Sequence, residues 1–184
     1  MSAPVARPAS SSPVWRDLDQ QALDDAYNQS KYAANLKQVV GRFTTNSAVA
    51  RARLGAPLRL AWDEANTARL DVFGAGQATA TEAAPRPIQV FVHGGAWRAD
   101  HASEYAFLAE CFVAAGACFV ALDFAHIDEL GGDLAAMAAQ ILEALEWLWR
   151  NAASYGGDPD RIHLSAHSSG AHLAGTALVT DWTA

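Results

Sequence analysis

The chain has 184 residues, enough for one domain with a substantial core. Hydrophobic residues make up 51% and charged residues 18%, which excludes an intrinsically disordered chain. The net charge is −7 and the two lysines and eleven arginines are scattered. That excludes a basic nucleic-acid surface, and no apolar run approaches the ~20 residues of a membrane helix.

Residues 1–14 are rich in Ser, Pro and Ala and read as a disordered tail with no apolar core of a secretory signal. Leu18, Leu23, Ala26 and Tyr27 recur at helical spacing after Asp17, a candidate cap. A second helical patch runs over 47–54 and stops at Gly55-Ala56-Pro57. Leu58 to Trp62 and Leu70 to Phe73 are short apolar strands. Gly74 to Pro87 is a Gly/Ala/Thr/Pro-rich connection, and Ile88 to Val92 is a buried strand. Tyr105 to Ala115 is a helix ended by Gly116, and Ala117 to Leu122 the next strand. From Asp133 to Arg150, Leu134, Met137, Ile141, Leu142, Leu145 and Leu148 keep one apolar face of a long helix. Gly156-Gly157-Asp158-Pro159 is a turn, Arg161 to Ser165 a strand, and Gly170 to Thr180 a helix. Strands alternating with helices from Ile88 onward predict an α/β fold with a mostly parallel sheet and right-handed crossovers. Cys111 and Cys118 sit in apolar stretches and read as buried free thiols of a reducing compartment, which points to the cytoplasm.

Two motifs carry chemistry. Ser165-Ala166-His167-Ser168-Ser169-Gly170 follows the strand Arg161-Ile162-His163-Leu164. A serine hydroxyl attacks poorly unless it is exposed and a base takes its proton. A tight strand-to-helix turn exposes it and aims the free N–H groups of a helix N-terminus at the reacting carbonyl. Such a turn needs small residues two before and two after the serine, here Ala166 and Gly170, which makes Ser168 the candidate nucleophile. An ordinary Ser-rich helix cap is the competing reading. The second motif, His93-Gly94-Gly95-Ala96-Trp97, also follows an apolar strand. A tetrahedral intermediate needs N–H donors where its oxygen turns negative. Ser169 and the loop residues Gly94, Gly95 and Ala96 are the candidate donors, with His93 holding the loop and Trp97 lining the acyl side of the pocket. An ordinary Gly-Gly turn competes, and the pairing with Ser168 argues against it.

With these residues in view, the chain resembles the α/β-hydrolases, and within them the kynurenine formamidase (arylformamidase) branch and its esterase relatives. His93–Trp97 resembles that branch's oxyanion signature. Gly156-Gly157-Asp158-Pro159-Asp160-Arg161-Ile162 is similar to its approach to the nucleophile, and Ser168-Ser169-Gly170-Ala171-His172-Leu173 to its elbow and helix. Thr180-Asp181-Trp182 is similar to the segment after that helix. The likeness covers about Trp15 to Trp182, so residues 15–184 read as a partial α/β-hydrolase domain. It implies an eight-stranded family fold, a Ser-His-acid mechanism without metal or cofactor, and hydrolysis of small aryl formamides or esters.

The chain departs from the family in two ways. Ala166 stands where glycine is usual, and the part carrying the later strands, the triad acid and the triad histidine has no match. After Ser168 the only histidine is His172 and the only acid Asp181. His172 is expected to support the elbow from its own helix, and Asp181 to bond at the helix end. His101, His126, His163 and His167 are not singled out by spacing, and His126 with Asp123 or Asp128 stays open as an alternative base. A metal at Asp123, His126 and Asp128, or at His163, His167 and His172, lacks a tight ligand motif. The expectation is a piece of a longer enzyme, or a chain completed by a second copy or another polypeptide. Its nucleophile strand would then lie at a sheet edge. A non-catalytic binding role is the alternative from a different class.

Overall fold

A computed structural model describes residues 12–64, 67–76 and 84–183. Most of the expected tail, and part of the connection before Ile88, lie outside the described residues. Two compact units divide at Gly41 and Arg42.

In the first unit, α1 (Gln20–Tyr27) starts at Asp19, whose carboxylate accepts the Ala22 N–H at 2.8 Å. The cap is therefore Asp19 and not Asp17, two residues closer to the helix. A short α2 (Gln29–Tyr32) follows, capped by Asn28. Neither helix buries a residue. The long α3 (Leu36–Leu54) begins in this unit and ends in the second.

The second unit is built on a five-stranded sheet: β1 (Leu58–Ala61), β2 (Arg69–Phe73), β3 (Arg86–Val92), β4 (Cys118–Asp123) and β5 (Gly157–Ala166). Their spatial order is β1-β2-β4-β3-β5. β1 and β2 are antiparallel additions, while β4, β3 and β5 run parallel. Side chains alternate across the sheet, so each strand feeds two cores. Leu70, Val72, Ile88, Val90, Val92, Val120 and Leu122 pack on one face. There they meet Met137, Ile141, Ala144 and Leu148 of α5 (Leu134–Asn151) and Leu173 and Ala174 of α6 (Ser169–Val179). Phe73, Phe91, Phe119 and Ala121 pack on the other face, against Ala102, Tyr105, Ala106 and Ala109. Burial of both faces explains the near-continuous apolar run of β4, all six residues of which are buried.

The expected helix over 105–115 forms as a 3₁₀ segment (Ala102–Leu108) running into α4 (Ala109–Ala114). Cys118 is buried on β4, but Cys111 is exposed on α4, against expectation, because α4 packs by the opposite face; both thiols are free.

The expected turn at Gly156–Pro159 becomes the start of β5, which begins at Gly157. Proline is tolerated there because β5 pairs only with β3 among the described residues and because the register shifts between Arg86 and Ile88. The strand leading to Ser168 thus has one open edge. Along that edge a groove of about 850 Å³ is lined by α5, β5 and α6, with Trp149, Ile162, Leu164 and Trp182 in its wall. No residue of either sequence motif lines it.

Candidate active site

Parallel pairing brings the two motifs together. Val92 pairs with Ala166 at the ends of β3 and β5, so both strands leave the sheet at the same end. The His167 N–H donates to the Val92 carbonyl at 3.1 Å, one residue past the strand. Here the chain turns sharply. Ser168 adopts φ 52° and ψ −124°, a region that side-chain-bearing residues rarely occupy. Helix α6 starts at the next residue, so Ser168 is exposed at the tip of a strand-to-helix elbow. The first bonds of α6 run from the Gly170 N–H to the His167 carbonyl and from the Ala171 N–H to the Ser168 carbonyl, each 2.9 Å. The Ser169 N–H has no acceptor among the described residues.

Gly170 is glycine because the strand end leaves no room for more. A Cβ there would lie 2.2 Å from the His93 carbonyl oxygen and 2.5 Å from that of Val92. Ala166, by contrast, sits in regular pairing with Val92, so its methyl group needs no special space. Opposite the elbow, a Cβ on Gly94 would meet Ser168 Cβ and His167 Nδ1, each at 3.0 Å. The loop and Ser168 are therefore in direct contact.

The loop is strained. Gly95 has φ 100°, and Ala96, Trp97 and Asp100 also have positive φ. The Gly95 carbonyl accepts the N–H groups of Arg98 and Ala99 at 3.0 Å. The Trp97 N–H donates to Ser169 Oγ at 3.2 Å, which ties loop to elbow. The Trp97 ring stands edge-on to His172 at 5.7 Å. The N–H groups of Gly95 and Ala96 have no acceptor among the described residues.

His93 is 1% exposed and stacks on Phe124 at 4.4 Å and on Tyr105 at 6.0 Å. Its Nδ1 lies 2.9 Å from the Gly94 carbonyl and, as the protonated nitrogen, donates to it. Burial holds its pKa below the ordinary value, and the Gly94 bond opposes this only in part. The folded chain thus binds this proton less readily than the unfolded chain. The associated stability is complete above the ordinary histidine value of about 6.5 and is lost as pH falls from there toward the folded value. We expect the melting temperature to drop below pH 6.5, and the gap between the wild type and His93→Gln to narrow as it does. Parallel melting curves for the two proteins across pH 5–8 would contradict this.

Of the remaining candidates, His101 lies beside two others: its ring stacks on His126 at 5.3 Å and its Nδ1 is 3.7 Å from Asp123 Oδ1. Asp123 is buried; its Oδ1 accepts the Ala102 N–H at 2.7 Å and its Oδ2 an Arg59 N–H at 2.6 Å. Arg59 also pairs with Asp71, whose carboxyl burial pushes up despite that cation. Asp128 pairs with Arg98 at the surface. His126 Nε2 lies 3.1 Å from the Asp100 carbonyl. His163 is exposed along β5, and Asp181 caps a turn by accepting from Thr183. Among the described residues no three His, Cys, Asp or Glu side chains are grouped to hold a metal. No helix among them is long and apolar enough to cross a membrane.

Sequence reasoning missed Asp100, Tyr105 and the side chain of Ser169. Asp100 and Tyr105 look like a loop and a helix start in the sequence, and only their pairing at 2.7 Å gives them a role.

Residues 71–182, more than half of the chain, match the family described as BD-FAE. The chain belongs to the BD-FAE family. Kynurenine formamidase of Danio rerio is 25% identical to this BD-FAE chain over 175 residues, 92% of this chain and 56% of that protein. Isoprenylcysteine alpha-carbonyl methylesterase ICME of Arabidopsis thaliana is 30% identical over 98 residues, 53% of this chain and 22% of that protein. The chain therefore spans little more than half the length of the formamidase and less of the methylesterase. A crystal structure from Silicibacter sp. TM1040, named as a candidate thioesterase, superposes with a TM-score of 0.69 at 27% identity. That match covers 85% of this chain and 55% of the other. Native esterase Est2 of Thermogutta terrifontis gives a TM-score of 0.56 at 25% identity over 66% of this chain and 43% of that one. The fold is that of the α/β-hydrolase esterases, and the relatives are hydrolases of ester or amide bonds.

Proposed function

We propose that this chain carries the nucleophile and oxyanion half of a serine hydrolase that acts on small aryl formamides. The strained elbow at Ser168, with Gly94 against its Cβ, is the observation that carries this reading. Ser168 Oγ attacks the formyl carbon, and the developing oxyanion takes hydrogen bonds from the Ser169 N–H and from the loop Gly94–Ala96, Gly95 foremost. Collapse breaks the C–N bond. The aryl amine leaves with a proton, and water then releases formate from the acyl-serine. Trp97, beside His172, bounds the acyl side. The likeness to a kynurenine formamidase supports the formamide, and the length of the match supports it over the shorter alignments to esterases.

The base and acid are not assigned to any described residue. His172 faces Trp97, and no other histidine follows Ser168. We read them as supplied by polypeptide beyond these residues, whether the same chain, a second copy or another protein. A short-chain carboxylesterase is the second reading, favoured by the likeness to the Thermogutta esterase. A non-catalytic binding role would follow if no base is ever supplied.

The test uses the natively expressed protein together with any polypeptide that completes it, and compares turnover of formanilide with that of phenyl acetate, alongside peptide mapping after a fluorophosphonate probe. Faster formanilide turnover with an adduct on Ser168 is expected. Faster acetate turnover would move the assignment to the esterases. No adduct and no turnover would favour the binding role.

A further inference from the structure

The strained loop persists because contacts from outside hold it: in its middle the Trp97 N–H donates to Ser169 Oγ and the Trp97 carbonyl accepts the Ile127 N–H, and further contacts hold its ends. Asp100, at φ 68°, closes the loop. Its carboxylate accepts the Tyr105 hydroxyl at 2.7 Å, and its carbonyl lies 3.1 Å from His126 Nε2. The Tyr105 ring also stacks on His93, the residue before Gly94. One side chain therefore reaches both ends of the segment that bears the oxyanion donors, the hydroxyl at Asp100 and the ring at His93.

Tyr105 is itself fixed. It is 2% exposed, and its ring lies 5.1 Å from Phe91 and 5.5 Å from Phe43, besides the stack on His93. Its backbone neighbours are gripped by one fully buried side chain of α3. Ser47 Oγ donates to the Glu104 carbonyl at 2.7 Å and accepts the Phe107 N–H at 3.2 Å. Burial, and then the bond to Asp100, push the Tyr105 hydroxyl above its ordinary range, so it stays a donor.

We propose that the Tyr105–Asp100 hydrogen bond is the latch that keeps the loop Gly94–Asp100 in its donor-forward shape, with Ser47 of α3 as the seat of Tyr105. This makes Tyr105 and Asp100 positioning residues, and it rests on the reading of this loop as the oxyanion hole. Loss of the latch lets the positive-φ residues relax. The donors then move off the position of the oxyanion, and a displacement of about 1 Å can cost as much as 10²-fold in rate.

The test uses the full chain with Tyr105→Phe, Asp100→Ala and Asp100→Asn. The first two cut the same bond from opposite ends. Asparagine keeps an acceptor oxygen and tolerates positive φ. Two readouts are taken: amide hydrogen exchange over 95–100, and the rate of Ser168 phosphonylation resolved into its binding and bond-forming constants. We expect Y105F and D100A to speed exchange and to slow bond formation, each about tenfold, with probe binding unchanged and D100N near wild type. Unchanged exchange in Y105F, or D100N as impaired as D100A, would overturn the latch. If wild-type Ser168 resists the probe, the hydrolase reading fails, and amide exchange alone still decides the latch.

Discussion

Replacing Ser168 with alanine is expected to reduce covalent capture by a fluorophosphonate to background, a loss of at least ~10³-fold. The adduct forms at Oγ, and no other hydroxyl of the site shares its place: Ser169 Oγ is already occupied as acceptor of the Trp97 N–H. The same position makes a second, opposite forecast. At φ 52° and ψ −124°, Ser168 carries a backbone strain of about 1–3 kcal/mol. Alanine keeps that strain because it keeps the Cβ. Glycine removes it, at some cost in unfolded-state entropy. Ser168→Gly is therefore expected to raise the unfolding free energy by about 1 kcal/mol while also abolishing capture. Mass spectrometry of the labelled peptides and urea melts measure both. Labelling that survives S168A would place the nucleophile elsewhere, and a destabilised S168G would mean that the elbow is not strained.

Gly170→Ala is expected to be the most destabilising single methyl group in the site. Its Cβ would sit 2.2 Å from one carbonyl oxygen and 2.5 Å from another, and both belong to the end of β3. Backbone in the middle of a sheet cannot swing aside as a long side chain can. Relief requires α6 to lift from the strand, which opens the contact between Leu173 and the core. We expect a loss of about 3 kcal/mol in urea-induced unfolding, at the upper end for overpacking. A melt within about 0.5 kcal/mol of wild type would show that the elbow has slack. Gly175, on the same helix, where an added Cβ would meet nothing within 4 Å beyond the helix's own backbone, is the control: Gly175→Ala should be neutral or stabilising by up to about 1 kcal/mol.

Much of this arrangement was legible in the residues. The short apolar run Ile88–Val92 reads as a buried strand and the period of Leu134–Leu148 as a helix face, and both elements formed where the sequence places them. Ser168 and the loop at Gly94 were legible because a tight turn restricts residue types, and restricted positions leave a signature. α3 was half legible: its inward stripe Phe43, Ser47, Ala50 and Leu54 lies late in the helix, while Val39 and Val40 are exposed and show no period. β5 was longer than expected because an open edge permits Pro159, a tertiary fact with no local trace. Nothing in the spacing of Asp100 and Tyr105 announces their bond. Nor does it show that Asp123, a candidate acid by type, is spent on Arg59 and Ala102.

The fit between Gly170 and the end of β3, and between Gly94 and Ser168, makes one tight seam through the site. Along that seam a gain of even one methyl group must be answered by movement on the other side, so the elbow and the loop can change only together. The aromatic rings beside it are tied into the same unit: Phe43 and Phe107 meet ring to ring at 5.5 Å, Phe43 lies 5.5 Å from Tyr105, and Phe43 reaches His167 edge-on at 6.3 Å. A change in α3 or in the 3₁₀ segment is therefore passed on to the elbow and the loop, and sequence drift there is coupled to theirs.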